Sequence, residues 1–423
     1  MRILVIGAGG REHAMLWAMA RGGELLELFC APGNAGIEQV AQCVPIQVTD
    51  VTGLAQFAQD NRIDLTIAGG ETSLAVGVAD EFARRGLPFA GATQAAARLE
   101  SSKAFSKDFF TRHRIPTAHY RVADTADKAL GILQRGEFGD ESAPTVVKVD
   151  GLAAGKGVVV ARSRAEASAA VKEMFAAGAT RLVLEETLTG REASLLVFAD
   201  GRDYVVMPPA RDHKRIGEND TGRNTGGMGA VTDEGILDPA QLQAALSTVI
   251  EPALAGAAAE GFPFRGVLFA GLMLTPDGIQ TLEFNVRFGD PEAQAILVRL
   301  NSSLVSLFEG VSRGSLAQTK VEWDPEPSAC VVLAARGYPG KPETGAVING
   351  LDQVSLGVQV FHAGTACNEI GEYVTNGGRV LGVTATGTDL PGALSKCYAA
   401  VGQISWEGMQ FRRDIGRGLG VRG

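Results

Sequence analysis

The most constraining stretch in this chain is Glu283-Phe284-Asn285-Val286-Arg287-Phe288-Gly289-Asp290-Pro291-Glu292. Its first half alternates polar and apolar residues, which predicts a strand, because successive side chains point to opposite faces. Phe284, Val286 and Phe288 then enter a core, and Glu283, Asn285 and Arg287 share the other face. A carboxylate and an amide oxygen are hard ligands suited to Mg2+, which keeps several waters and also binds substrate phosphates. A guanidinium beside them suits a phosphoryl group. An edge strand with a merely wet polar face would show the same alternation. Asp290 is expected as an N-cap and Pro291 as the first helical position, with a helix over 293–300.

Residues 2–92 alternate strand and helix. Strands are expected over 3–6, 28–31 and 64–68, and helices over 11–21, 51–61 and 73–85. This is the pattern of a parallel α/β layer with ligands at the carboxyl ends of its strands. Three loops fall there: Gly7-Ala8-Gly9-Gly10-Arg11-Glu12-His13, Pro32-Gly33-Asn34-Ala35-Gly36 and Gly69-Gly70-Glu71-Thr72. The first begins G-x-G, but Glu12 occupies the third glycine position of G-x-G-x-x-G. Residues 29–31 also lack the ribose-binding acid, which argues against a nicotinamide dinucleotide site. A glycine turn at a helix N-terminus still binds anions. A substrate phosphate there is the functional reading, and a simple tight turn the plain one. Ser101 and Ser102 fit the N-cap of a helix reaching 113. Lys103 in its first turn opposes the helix dipole, so it is expected to reach an anion.

Residues 118 to about 199 read as a smaller α+β unit. Strands over 145–149 and 158–161 flank Asp150-Gly151-Leu152-Ala153-Ala154-Gly155-Lys156-Gly157. A phosphate-binding G-x-x-x-x-G-K-[ST] loop is excluded: the spacing is one short, Gly157 replaces Ser or Thr, and a Val run follows. The segment reads as a glycine hairpin over phosphates with Lys148 and Lys156 as charge donors, or as a plain hairpin with a surface lysine. A strand over 181–184 leads to Glu185-Glu186-Thr187-Leu188, and Glu192 opens the next. These acids can accept from an adenine amino group and ribose hydroxyls, or be solvated turn residues. Residues 210–230 form a long polar loop, suited to closing over a small charged substrate. His213 is expected to be a hydrogen-bonded loop residue. A helix over 238–260 is expected to break at Pro252, and a hairpin over 266–286 to turn at Pro276-Asp277-Gly278. After linker-like residues 323–327, strands over 329–335, 358–361 and 379–384 and a helix over 390–404 suggest a separate C-terminal domain. The expected division is 1–100, 101–325 with a smaller lid over 118–192, and 326–423.

The net charge of −9 and pI near 5.3 argue against a nucleic-acid grip, which needs a concentrated basic surface. The five cysteines form no C-x-x-C pair, as expected of reduced thiols in a cytoplasmic protein. The opening residues lead directly into a strand rather than a secretory signal, and no apolar run approaches the roughly 20 residues that span a bilayer. No membrane partner is expected, and a monomer is the working expectation.

A glycine hairpin with two lysines, an acid pair at a strand end and a downstream E-x-N strand together resemble the ATP-grasp fold. Longer blocks resemble the phosphoribosylamine–glycine ligase (glycinamide ribonucleotide synthetase) family. They include Gly9-Gly10-Arg11-Glu12-His13-Ala14, Ala31-Pro32-Gly33-Asn34-Ala35-Gly36 and Gly151 to Val158. Asp212-His213-Lys214-Arg215, Asn224-Thr225-Gly226-Gly227-Met228-Gly229-Ala230, Glu283 to Glu292 and Thr375-Asn376-Gly377-Gly378-Arg379-Val380-Leu381 complete the set. The resemblance covers nearly the whole chain. It implies an N-terminal parallel α/β domain, a two-part ATP-grasp fold and a small strand-rich C-terminal domain. It also implies that ATP, with Mg2+ or Mn2+, phosphorylates glycine's carboxylate, and that the amine of 5-phosphoribosylamine then displaces phosphate. On that reading Glu283 and Asn285 hold the metal. Arg287, Lys156, Asp212 and Lys214 serve the chemistry. Lys103, Lys148, Lys156, Glu185, Glu186, Leu188 and Glu192 hold the nucleotide. Gly9, Gly10, Arg11, Glu12, His13, Asn34, Glu71, Asp212, Arg287 and Asp290 hold the other substrates. The chain departs from the family pattern at Ala8, Gly70, Ala210, Arg211 and Arg223. It is also shorter before Arg181, and the strand over 269–274 has no carboxylate. A different acceptor amine, or a nucleotide-binding regulator without turnover, are the alternatives.

Overall fold

The computed structural model describes residues 1–152 and 157–418. The chain opens as a five-stranded parallel sheet, ordered Gln42–Cys43, Glu27–Pro32, Arg2–Gly7, Leu65–Ala68, Phe89–Ala90. The strand order reverses direction between Arg2–Gly7 and Leu65–Ala68, so a crevice opens at their carboxyl ends. Ile3, Leu4, Val5 and Ile6 are fully buried, as befits a strand covered on both faces. The expected helix over 73–85 is two helices, Glu71–Ala75 and Val78–Arg84. Gly77 separates them at φ +87°, a left-handed conformation that glycine adopts without a Cβ penalty. A helix not anticipated from sequence, Gln94–Ser101, runs up to Lys103–Arg112. Ser102 caps the latter as expected, its hydroxyl accepting from the Phe105 amide at 3.2 Å.

The smaller unit is an antiparallel sheet, ordered Tyr120–Ala123, Leu182–Glu186, Thr145–Val149, Val158–Ala161. Ala129, Ile132, Leu133, Ala167 and Val171 of helices Ala126–Gln134 and Arg164–Ala176 join its separate core. Opposite it lies a nine-stranded antiparallel sheet. From one edge, its path runs Gly278–Asn285, Arg265–Thr275, Arg191–Asp200, Ala210–Asp212, Gly229–Thr232, Ser328–Ala334, Arg379–Thr386, Val358–His362, with Tyr204–Val206 alongside Arg191–Asp200. The C-terminal strands are thus not set apart: Ser328–Ala334 hydrogen-bonds directly to Gly229–Thr232. Phe198 anchors this layer with no exposed surface, its ring edge-on to Phe288 at 5.7 Å and to Phe308 at 5.5 Å.

Three local expectations are corrected. Much of the segment 210–230 is strand: Ala210–Asp212 and Gly229–Thr232 join the large sheet, and Arg215–Gly217 pairs with Thr221–Asn224 as a hairpin. Alternation was hidden there because strands of three or four residues give no period. Asp290 is not a cap: the following helix is short, Glu292–Leu297, and no side chain caps it. Pro252 does not end its helix. A π-helical turn, Leu246–Ile250, precedes it, and this wider turn accommodates the missing amide. The resulting helix, Pro239–Ala259, has 21 residues and is long and apolar enough to cross a membrane by length and composition alone, although Gln241, Gln243 and Glu251 interrupt its apolar sequence. Its Ala245, Val249, Ile250, Ala253 and Ala257 are buried in the main core.

Truncating Phe198 to alanine should cost about 3–5 kcal/mol, the usual result for a fully buried aromatic side chain. Denaturant unfolding measures this, and a loss under about 1 kcal/mol would show that the two sheet layers pack independently of this ring.

Candidate active site

A cleft of about 1140 Å³ lies between the smaller sheet, the large sheet and the crevice of the parallel sheet. The strand Gly278–Asn285 supplies its floor. The burial of Phe284, Val286 and Phe288 alternates with Glu283, Asn285 and Arg287 lining the cleft, as alternation predicts, although the strand itself ends at Asn285. Opposite Gly271 the register slips by one residue. The bulge frees the Leu282 carbonyl, which accepts from Lys148 Nζ at 3.5 Å. Burial alone would raise the Glu283 carboxyl, but Lys214, Lys148, Lys103 and Arg287 hold it below the usual carboxylate range. It is therefore ionised, and among the described residues nothing hydrogen-bonds to it. Asn285 Oδ1 accepts from Arg287 Nη2 at 3.2 Å and keeps a lone pair free. This donor pair fits Mg2+. No cluster of three His, Cys, Asp or Glu exists among the described residues, so water and substrate oxygens would complete the coordination.

Above the floor sits a buried triad. Glu185 is 2% exposed, with Lys107 Nζ at 2.8 Å and Lys148 Nζ at 2.8 Å. Burial lowers Lys107 to about 8. Glu185, expected to meet adenine or ribose, instead holds two lysines. Lys107 was missed from sequence, although it lies four residues after Lys103 and so on the same helix face. Burial also lowers Lys103, whose Nζ donates to the Gly151 carbonyl at 2.8 Å. Glu186 accepts from the His119 amide at 2.7 Å. Glu192 pairs with Lys214 at 3.2 Å, and Leu188 lines the wall. Lys156 lies outside the described residues.

At the far end, Arg287 is held by Glu100 at 2.7 Å and Glu71 at 3.0 Å. Burial would raise Glu71, but Arg287 and Arg11 bring it down to about 2. Asp290 pairs with Arg379 at 3.0 Å, and Arg379 Nη1 also donates to the Gly226 carbonyl at 2.7 Å. Glu100 and Arg379 were missed because their partners are remote in sequence. Asp212 and Glu292 are two carboxylates that both line the cleft and influence each other electrostatically. Burial, then mutual repulsion, raises Asp212 well above the carboxylate range, and burial raises Glu292. Ser194 donates to Glu292 at 3.1 Å, while Asp212 Oδ1 is buried with no hydrogen-bond partner among the described residues.

Arg11 and Glu71 line the cleft; Gly9, Gly10, Glu12, His13 and Asn34 do not. Glu12 folds back, accepting from the Gly9 amide at 2.6 Å and pairing with Arg11 at 2.7 Å. A Cβ at Gly69 would lie 2.1 Å from the Glu12 carboxylate, so glycine there lets two loops close around one acid. Asn34 Nδ2 donates to the carbonyls of Ala8 and His362, and its Oδ1 accepts from the amides of Gly36 and Ile37. His13 Nδ1 accepts from the His362 amide at 2.9 Å. These three side chains hold the loop at Gly9 and Gly10 in place. His213 is, as expected, a hydrogen-bonded residue: its Nε2 accepts from the Gly416 amide at 3.1 Å.

Two α+β sheets closing on a lysine-rich cleft, with an E-x-N strand as floor, define an ATP-grasp enzyme. Successive parts of the chain match family models: the phosphoribosylglycinamide synthetase N domain over residues 1–100, its ATP-grasp (A) domain over 101–293 and its C domain over 328–418. The chain belongs to the phosphoribosylglycinamide synthetase family. It is 47% identical over 424 residues to phosphoribosylamine–glycine ligase of Xanthomonas axonopodis pv. citri, covering 98% of this chain and 97% of that protein. The crystal structure of phosphoribosylamine–glycine ligase from Thermotoga maritima superimposes with a TM-score of 0.82 at 32% identity, over 98% of this chain and 100% of that one. The biotin carboxylase domain of Hydrogenobacter thermophilus 2-oxoglutarate carboxylase, solved with MgADP, shares the fold at a TM-score of 0.73 and 16% identity, over 97% of this chain and 91% of that one.

Burial lowers His13 to about 3, and His213 and His362 to about 4. The unfolded chain protonates each near 6.5, so it binds more protons than the fold below that pH. Stability contributed by the neutral imidazoles is therefore lost as pH falls from about 6.5 towards 4. His13→Gln keeps an acceptor for the His362 amide without titrating. It should flatten the fall in unfolding free energy over that window by about 1–3 kcal/mol, and an unchanged slope would contradict the buried neutral assignment.

Proposed function

We infer that this chain is the ATP-dependent ligase that joins glycine to 5-phosphoribosylamine, giving glycinamide ribonucleotide, ADP and phosphate in purine biosynthesis. The observation that carries this reading is near-half identity along 98% of the chain to a ligase of that name, together with a cleft whose charges suit each step. Glycine's carboxylate oxygen attacks the γ-phosphorus of ATP and ADP leaves. The phosphoribosylamine nitrogen then attacks the carbonyl carbon of glycyl phosphate, and the C–O bond to phosphate breaks. Magnesium or manganese on Glu283 and Asn285 would supply neutralising charge at the transferring phosphoryl.

Lys103 and Lys148 are assigned to the nucleotide phosphates, with Glu185 holding Lys148 in place. Glu186, Leu188 and Glu192 are assigned to the nucleoside. Arg287, held by Glu71 and Glu100, is assigned to the phosphoryl group. Lys214, raised chiefly by Glu192 and then by Glu283 and Asp212 despite its burial, keeps its charge at the reacting centre. The loop at Gly9 and Gly10, with Arg11, Glu71 and Asp290, is assigned to the sugar phosphate. Asp212 is assigned to glycine's ammonium. Burial and then Glu292 raise its carboxyl despite Lys214 and Arg379, and an arriving ammonium favours its ionised form.

ADP release with Mg-ATP, glycine and freshly generated phosphoribosylamine, each omitted in turn, tests the reading. Release that needs both co-substrates is the expected result. Release indifferent to phosphoribosylamine would reassign the acceptor amine, and no release with ATP still bound would favour a regulator. Asp212→Asn should raise the KM for glycine about 30- to 100-fold, the cost of losing one charged hydrogen bond, with the KM for ATP nearly unchanged. Equal effects on both would remove Asp212 from the glycine site.

A further inference from the structure

The hairpin formed by Arg215–Gly217 and Thr221–Asn224 puts Arg215, Asp220 and Asn224 on the cleft wall. It continues directly from Asp212 and Lys214, and runs on into Thr225 and Gly226. Gly226 is gripped by Arg379 and by Tyr338, whose hydroxyl accepts from the Gly226 amide at 2.9 Å. Chain continuity thus places the hairpin at the amine end, beside Asp290 and Asp212.

Asn219 and Asp220 form its tip, with φ values of +56° and +52°, the left-handed pair of a tight hairpin turn, for which Asn and Asp are suited. The C-terminal segment packs against this tip. The Asn219 amide donates to Asp414 Oδ2 at 2.7 Å, and Arg417 donates to the Asn219 side-chain oxygen. Arg412 is 1% exposed. It donates to Asp220 Oδ1 at 2.8 Å and to the Arg215 carbonyl at 3.1 Å, while Asp414 holds it from the other side at 2.8 and 2.9 Å. Arg413 pairs with Glu218 at 3.7 Å. The Gly416 amide donates to His213, and Gly418 itself lines the cleft.

We propose that residues 411–418 are a positioning element of the substrate site: through Arg412, Asp414 and Arg417 they fix the Asn219–Asp220 tip and so set the shape of the amine end of the cleft. The segment does no chemistry. It determines how well glycine and phosphoribosylamine are held, and leaves the nucleotide end, built from Lys103, Lys148 and Glu185, to itself. The assignment of the two ends rests on the ligase reading given above.

The test is steady-state kinetics of the full chain with each substrate varied separately, for Arg412→Lys, Asp220→Asn and Arg417→Gln. Asp220 and Arg417 lie at the surface, so the last two variants carry the test should Arg412→Lys fail to fold. The expected result is a five- to thirtyfold rise in KM for glycine and phosphoribosylamine, a KM for ATP within twofold of the parent, and near-parent unfolding midpoints for the two surface variants. Parent-like KM values in folded variants would overturn the proposal, as would equal rises for all three substrates or a fall in kcat alone. If the parent enzyme itself shows no ADP release dependent on both co-substrates, the ligase reading fails, which is a different outcome from variants that match an active parent.

Discussion

The structure depends on charge balance in a cleft largely withdrawn from water. An isolated buried carboxylate or ammonium would neutralise itself. Here each reactive charge is kept by a neighbour. Glu283 stays ionised because Lys214, Lys148 and Lys103 surround it, and Arg287 lies between Glu71 and Glu100. Lys148 is steadied by a carboxylate that Lys107 shares. Arrivals of opposite charge can take over these pairings one by one, so positioning needs little reorganisation at the moment of reaction.

That balance sets demands on the rest of the chain. The parallel sheet must bring the Gly7–Gly10 and Gly69–Glu71 loops together, and it does so around Glu12, which needs glycine at Gly69. The large sheet must carry Asp212 and Glu283 on one surface, and it continues into the C-terminal strands, whose Arg379 reaches back to Asp290 and Gly226. The N-terminal and C-terminal parts meet again at His13 and His362, where two neutral imidazoles sit because no charge can be accommodated. The strands that line the cleft and the C-terminal strands are therefore parts of one hydrogen-bonded sheet.

Much of this was legible in the sequence where a local period carried it. The alternation over 283–288, the buried strand over 3–6 and the three glycine loops at strand ends were legible because alternation and turn chemistry are local. The resemblance of long blocks settled the family. What stayed hidden was pairing across sequence distance: Glu100 with Arg287, Arg379 with Asp290, Asp212 with Glu292. Glu185 was visible as an acid at a strand end, but its pairing with Lys107, 78 residues earlier, was not. Asp290 had the chemistry of a helix cap and was drawn away by Arg379. Strands as short as Ala210–Asp212 carry no readable period, so that segment looked like a loop.

The measurement that tests the account most directly follows glycine's oxygen. With glycine labelled by 18O in its carboxylate, a glycyl phosphate formed in this cleft breaks at the C–O bond when the amine attacks. One labelled oxygen should then appear in inorganic phosphate for each glycinamide ribonucleotide made. Unlabelled phosphate, with product still forming, would mean that the γ-phosphoryl never reaches glycine's carboxylate, and the roles given to Arg287, Lys214 and the Glu283–Asn285 pair would be wrong.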